Sequence, residues 1–349
     1  MEFLFEYGLF LAKAITFIVG ILLVIVVIAG LGQKSRSSER GHIQVTNINE
    51  NFENITNTLK QVVMNAESLK LEQKAEKKRL KTNEKEQKKE AKSGSIERKK
   101  RVFVLDFEGD IQASAVSQLR EEVTAILSIA EAQDEIVLRL ESPGGVVHGY
   151  GLAASQLSRI IDKKIPLTIA VDKVAASGGY MMACLADKLI AAPFAILGSI
   201  GVVAQIPNFH RLLKNKDVDV EILTAGEYKR TLTMFGENTE SGREKFKEEL
   251  EDVHTLFKDF VTENRPIVDT EVVGTGEAWY GKRALEHKLI DAIETSDAYI
   301  YDACQDADVY KIKYVDDKNR MDKVLDRMTS VLLKITGRDD FKVHNRHVF

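Results

Sequence analysis

The 349 residues are 44% hydrophobic and 29% charged, enough apolar material to bury a sizeable core in one large or two modest domains. The formal net charge of -4 is unevenly spread: Lys70–Arg101 holds 14 Lys/Arg against 6 Asp/Glu, so the remainder sums to -12. This excludes a chain-wide nucleic-acid footprint, and the two cysteines, Cys184 and Cys304, exclude a disulfide framework or a CxxC metal site.

In chain order, the first predicted element is a membrane helix. No residue from Ala14 to Gly32 is charged, and Ile, Leu and Val dominate. At about 1.5 Å per residue the run is roughly 28 Å long, close to the hydrocarbon thickness of a bilayer. The alternative is a cleaved signal peptide. The run is too long for an h-region, acidic Glu2 and Glu6 precede it, and Gly30-Leu31-Gly32 is not an A-x-A site. An uncleaved anchor over residues 1–33, spanning about 9–32, is therefore predicted. Lys34, Arg36 and Arg40 behind the span, against Lys13 before it, favour a cytoplasmic side for the following chain by the positive-inside rule, but three charges leave the side of the catalytic domain open.

Residues 34–101 form a predicted helical, charged linker. Ile48, Phe52, Ile55, Leu59, Val62, Ala66 and Leu69 recur at spacings of four and three, a heptad stripe. It fits a helix packed on its own domain and equally one that meets a second copy. Lys70–Arg101 continues without a stripe, as a solvated helix or tether.

From Val102 the texture changes. Short β-branched runs (Val102–Phe107, Glu135–Leu140, Pro166–Val171) alternate with helical patterns (Ala113–Ala132, Tyr150–Ile161). That alternation predicts βαβ units and a largely parallel sheet, an α/β fold. Ser241–Glu263 reads as an amphipathic helix with Phe246, Leu250, His254, Leu256 and Phe257 on its apolar side. Uncharged Leu189–Ile206 is long enough for a second span. Pro193, Gly198, Gly201, Ser199 and Gln205 interrupt it, so a buried strand, turn and helix is predicted instead. The domain is expected to run over 102–300, with 301–349 a C-terminal extension carrying an amphipathic helix at Met321–Ile335.

Two strand ends carry chemistry. Glu141-Ser142-Pro143-Gly144-Gly145 follows one predicted strand, and Ala175-Ala176-Ser177-Gly178-Gly179-Tyr180 follows another. A glycine pair lets backbone N–H groups approach a ligand, as an oxyanion hole requires, and small residues expose the serine hydroxyl. A tight turn and a helix N-cap are the plain alternatives. Two glycine-rich ends in one parallel sheet favour a site, because ligands bind beyond the carboxyl ends of such strands. The serine needs a base. None of the seven histidines has a recognisable partner pattern, and a lysine base must be buried to lower its pKa by about three units, roughly 4 kcal/mol. Spacing alone selects neither.

Five motifs in order, ESPGG (Glu141–Gly145), VAASGGY (Val174–Tyr180), LGSIGV (Leu197–Val202), GEYK (Gly226–Lys229) and GEAWYGKRALEHKLID (Gly276–Asp291), resemble the S49 serine peptidases, the signal peptide peptidase A family. The resemblance implies a ClpP/crotonase-type fold, Ser177 as nucleophile, Lys229 as general base and Ser199 orienting the lysine. It implies oxyanion-hole N–H groups from Gly144 and Gly178, with no metal and no cofactor. It further implies peptide substrates, a bacterial inner-membrane location and homo-oligomers, some of which join nucleophile and base across subunits. Asp172 and Glu141 match no catalytic role in the family. A crotonase-like acyl-CoA enzyme and a catalytically silent membrane scaffold are the alternative readings of the same fold.

Overall fold

The computed structural model describes residues 5–18, 20, 41–72, 74–75, 78, 82 and 99–316. Residues 43–314 form one compact unit; a second is made of residues 1–42 and 315–349. In the second unit, residues 5–18 are helical. Among the described residues no helix is long and apolar enough to cross a membrane, and most of the predicted span falls outside them.

The larger unit is built on a seven-stranded sheet. In chain order its strands are β1 (Gly41–Asn47), β2 (Arg101–Glu108), β3 (Glu135–Glu141), β4 (Leu167–Val171), β6 (Lys188–Ala191), β9 (Ala292–Ile293) and β10 (Asp308–Asp316). Their spatial order is β1-β10-β2-β3-β4-β6-β9, and every pair from β10 to β9 is parallel. Strands covered on both faces must be apolar throughout, and Leu167–Val171 is buried at every position. Phe103, Leu105 and Phe107 enter the larger core beneath α2 (Val116–Leu127) and α3 (Val147–Asp162), whereas Val102 and Val104 enter a smaller core with Ile300 and Val309.

A smaller sheet holds β5 (Val174–Ala176), β7 (Ile196–Gly198) and β8 (Ala278–Tyr280), with β5–β7 parallel and β7–β8 antiparallel. The predicted largely parallel α/β architecture is thus present, with β7–β8 antiparallel. Residues 189–206 are not a membrane helix. They supply β6, β7 and a run without helix, with Leu189, Ile190, Ala191, Leu197 and Ile200 buried. The helix expected at the end of this segment is absent because Gly198 (φ 88°) and Ser199 (φ 50°) turn the chain out of any regular conformation. Helix resumes only at α5 (His210–Lys214).

The heptad stripe divides. On α1 (Ile48–Val63), capped by the Asn47 side chain at Glu50 N–H, Ile48 and Phe52 pack on the smaller core. Phe52 meets Tyr301 edge-on at 5.6 Å. Farther along, Ile55, Leu59 and Val62 stay exposed. Beyond α6 (Glu240–Asn264), α7 (Thr270–Val273), α8 (Gly281–Glu286) and α9 (Ser296–Asp306), β10 enters the sheet beside β2 from the stretch expected to be an extension. Met321–Ile335 lies outside the described residues.

Candidate active site

β5 is buried along its whole length and delivers the chain to Ser177, where φ is 52° and ψ is -119°, before α4 (Gly178–Ala183) begins. A positive φ at a non-glycine residue costs of order 1–3 kcal/mol and persists only where the surroundings enforce it. Here the Ser177 N–H donates to Gly198 O at 2.8 Å and Met181 N–H donates to Ser177 O at 3.0 Å. Ser177 occupies the N-cap position, yet its side chain makes no capping hydrogen bond. The hydroxyl is therefore not consumed by the helix. Only glycine fits next to it: a Cβ on Gly178 would lie 2.4 Å from Tyr150 Cγ.

The SPGG turn is stitched to this strand. Ser142 N–H donates to Val174 O (2.8 Å) and Ala176 N–H donates to Ser142 O (3.0 Å), so the end of β3 continues into the smaller sheet. Gly144 has φ 93°, and a Cβ there would sit 2.7 Å from Ser177 Cβ. The turn thus touches the serine. Its orientation differs from the expected one in one respect: the Gly144 N–H donates to Ser142 Oγ at 3.1 Å. Gly145, the next residue, lines the same cleft as Ser177 and is not drawn into that bond. Nothing in the sequence separates Gly145 from Gly144, because the two glycines are equivalent until a side-chain acceptor claims one of them.

Ser199, with φ 50°, forms a second strained turn on the cleft. Its N–H donates to Glu277 O at 2.7 Å, and His254 on α6 hydrogen-bonds the Ile200 carbonyl through Nε2 at 3.2 Å. Ser177, Ser199, Gly144 and Gly145 line one cleft of about 930 Å³. α6 presents Lys247, Leu250, Glu251 and His254 to it, while Ile111 and Val203 add apolar wall. Four of the residues singled out by sequence therefore gather, since Gly178 follows Ser177 directly and its neighbour lines the space.

Lys229 does not join them in the single chain. It lies exposed in the loop between α5 and α6, its N–H bonded to Gly226 O at 3.2 Å, and is not among the residues lining the cleft. Asp172 and Glu141 have structural partners: Asp172 accepts from Ser296 N–H and Oγ–H, and Glu141 pairs with Lys173 at 2.9 Å. Burial pushes the Cys184 thiol up to about 12, which keeps it protonated, and the side chain packs as a small residue of the larger core. Among the described residues no cluster of three or more His, Cys, Asp or Glu is arranged to hold a metal.

Comparison with known proteins decides the family. The model of the S49 N-terminal region matches residues 2–157, and that of peptidase family S49 matches residues 159–310. The chain belongs to peptidase family S49. A Haemophilus influenzae protein described as "Probable protease SohB" is 51% identical over 316 residues, covering 90% of this chain and 89% of that protein. Proteins of the same description from Buchnera aphidicola of Acyrthosiphon pisum and of Schizaphis graminum are 49% and 45% identical. The alignments cover 95% and 96% of this chain, and 94% and 98% of those proteins. The S49 models cover both glycine-rich turns, the Ser199 turn and Lys229. Membership makes this chain a peptidase by family.

Proposed function

We propose that the chain is a membrane-anchored serine endopeptidase that cleaves short or unfolded peptide segments through an acyl-enzyme on Ser177. The observation that carries this reading is the uncapped Ser177 hydroxyl, held on a positive-φ turn at the mouth of a cleft and touched by the SPGG turn. Lys229 Nζ takes the proton of Ser177 Oγ as the oxygen attacks the peptide carbonyl. The negative charge on the carbonyl oxygen falls to the N–H groups of Gly178 and Gly145, the latter because Gly144 N–H is committed to Ser142. Collapse breaks the C–N bond, and the lysine returns its proton to the leaving amine. Water, deprotonated by the same lysine, then frees the acyl group and restores Ser177. Ser199 accepts a hydrogen bond from the lysine amine and directs it at Ser177. No metal or organic cofactor is required.

A lysine base must be shielded from water, and Lys229 is exposed in the single chain. The stretch that carries it exposes apolar side chains: Ile222, Leu223 and Tyr228 are all exposed, Leu223 at 91%. These facts support a homo-oligomer in which a second copy covers this loop and completes the pair. The apolar Ile111, Val203 and Leu250 in the cleft suit apolar residues next to the scissile bond. Residues 9–32 anchor the chain in the bacterial inner membrane, and the family's ClpP/crotonase-type fold accommodates the two-sheet arrangement.

The test is hydrolysis of fluorescein-labelled casein by the full chain in detergent, alongside Ser177→Ala and Lys229→Ala. Loss in both variants, with coenzyme A esters left intact by the wild type, is expected. Wild-type rates in Ser177→Ala, or thioester turnover independent of Ser177, contradict the reading.

A further inference from the structure

Tyr150 is wholly buried, lies on α3 away from every motif that carries the chemistry, and yet reaches both sides of the oxyanion site. Its hydroxyl donates to Asp110 O at 2.8 Å. A tyrosine has one hydroxyl proton, so the contact with Ser142 Oγ at 2.5 Å has Ser142 as donor. Ser142 Oγ in turn accepts from Gly144 N–H at 3.1 Å. The bonds therefore run in one direction, from Gly144 N–H through Ser142 and Tyr150 to the Asp110 carbonyl, and each hydroxyl polarises the next. Burial raises the Tyr150 phenol above its ordinary value, so its proton stays in place throughout the neutral range.

The ring of the same side chain does a second job. The Cβ missing at Gly178 would fall 2.4 Å from Tyr150 Cγ, so the ring lies directly beneath the residue that follows the nucleophile. Its edge also meets Phe107 at 6.4 Å, which ties it to β2. Ser142 is fixed by its main chain to β5, the strand leading to Ser177.

We propose that Tyr150 is a positioning residue which, by its hydroxyl chain to the SPGG turn and its ring beneath Gly178, sets the two oxyanion-hole donors at a fixed separation. It also decides which glycine serves: engaging Gly144 N–H turns the loop so that Gly145 faces the cleft. The inference rests on the Ser177 peptidase reading. A donor misplaced by a fraction of an ångström is felt where charge develops and hardly at all in ground-state binding.

The experiment is steady-state hydrolysis of fluorescein-labelled casein by the full chain in detergent, with the rate of fluorophosphonate labelling measured in parallel. Tyr150→Phe keeps the ring and removes the hydroxyl. It is expected to lower kcat at least about tenfold with KM within about twofold, to slow labelling by a similar factor, and to unfold near the wild-type temperature. A kcat within about twofold of wild type overturns the proposal, as does a loss carried by KM alone. Should Tyr150→Phe fail to fold, Ser142→Ala cuts the same chain at its other link: a fall in kcat supports the proposal and an unchanged kcat overturns it. Wild-type protein that neither cleaves casein nor labels overturns the peptidase reading itself, a result distinct from the failure of Tyr150 alone.

Discussion

Ser177 and Ser199 both hold positive φ, and each is pinned by a main-chain bond from the neighbouring turn: Ser177 N–H to Gly198 O, Ser199 N–H to Glu277 O. Backbone of that kind persists only where its surroundings enforce it, and the glycines beside these serines leave the clearance it needs. Gly178→Ala forces a Cβ into the Tyr150 ring, so it is expected to cut peptidase activity at least about 100-fold while destabilising the fold by about 1–3 kcal/mol. Casein hydrolysis and thermal unfolding measure the two effects. Cys184 makes the opposite prediction. With its thiol at about 12 and fully buried, iodoacetamide at pH 8 is expected to leave activity intact and Cys184 unmodified by peptide mapping. Ser177 was legible in sequence because a small-residue turn after an apolar strand is itself the requirement for an exposed hydroxyl. Gly145 and Tyr150 were not: one differs from Gly144 only through a side-chain acceptor, and the other sits on α3 with no motif of its own.

At the scale of elements, β2, β3 and β4 and the helices between them follow from runs of apolar residues doubly covered in the sheet. β10 escaped because its pattern is mixed: Val309 and Ile312 are buried while Lys311 pairs with Asp106 on the surface side. Only the partner strand β2 turns such a segment into sheet. The start of β2 is clamped by Arg101, which pairs with the fully buried Asp134 just before β3. Burial alone raises the Asp134 carboxyl, but the hydrogen bonds from Arg101 outweigh it and hold the group below the ordinary carboxylate range. A depressed carboxylate stabilises the fold above its unfolded pKa, and this contribution disappears as pH falls through the folded value. Arg101→Ala, which strands a buried carboxylate, is expected to cost about 3–5 kcal/mol at pH 7 and less once acid protonates Asp134. Urea unfolding at pH 7 and at pH 3 measures the difference.

For the whole molecule, one chain gathers Ser177, Ser199 and the SPGG turn around a cleft, and leaves Lys229 in an exposed loop that also carries exposed Ile222, Leu223 and Tyr228. The family resemblance named Lys229, but no sequence pattern states whether a base reaches its own serine or a neighbour's, since that depends on which surfaces meet. If the pair is completed between copies, mixing inactive Ser177→Ala with inactive Lys229→Ala chains restores part of the activity, up to about a quarter for random dimeric pairing. No recovery on mixing places both groups in one chain. The exposed stretch Ile55, Leu59 and Val62 of α1 is a further face available to such an assembly. The central claim, that Ser177 is the nucleophile, is tested most directly by treating the full-length protein with a fluorophosphonate probe and mapping the modified peptide by mass spectrometry. A single adduct on Ser177 is expected, absent from Ser177→Ala and strongly slowed in Lys229→Ala; an adduct on another residue, or equal labelling of wild type and Ser177→Ala, would rule out Ser177 as the nucleophile.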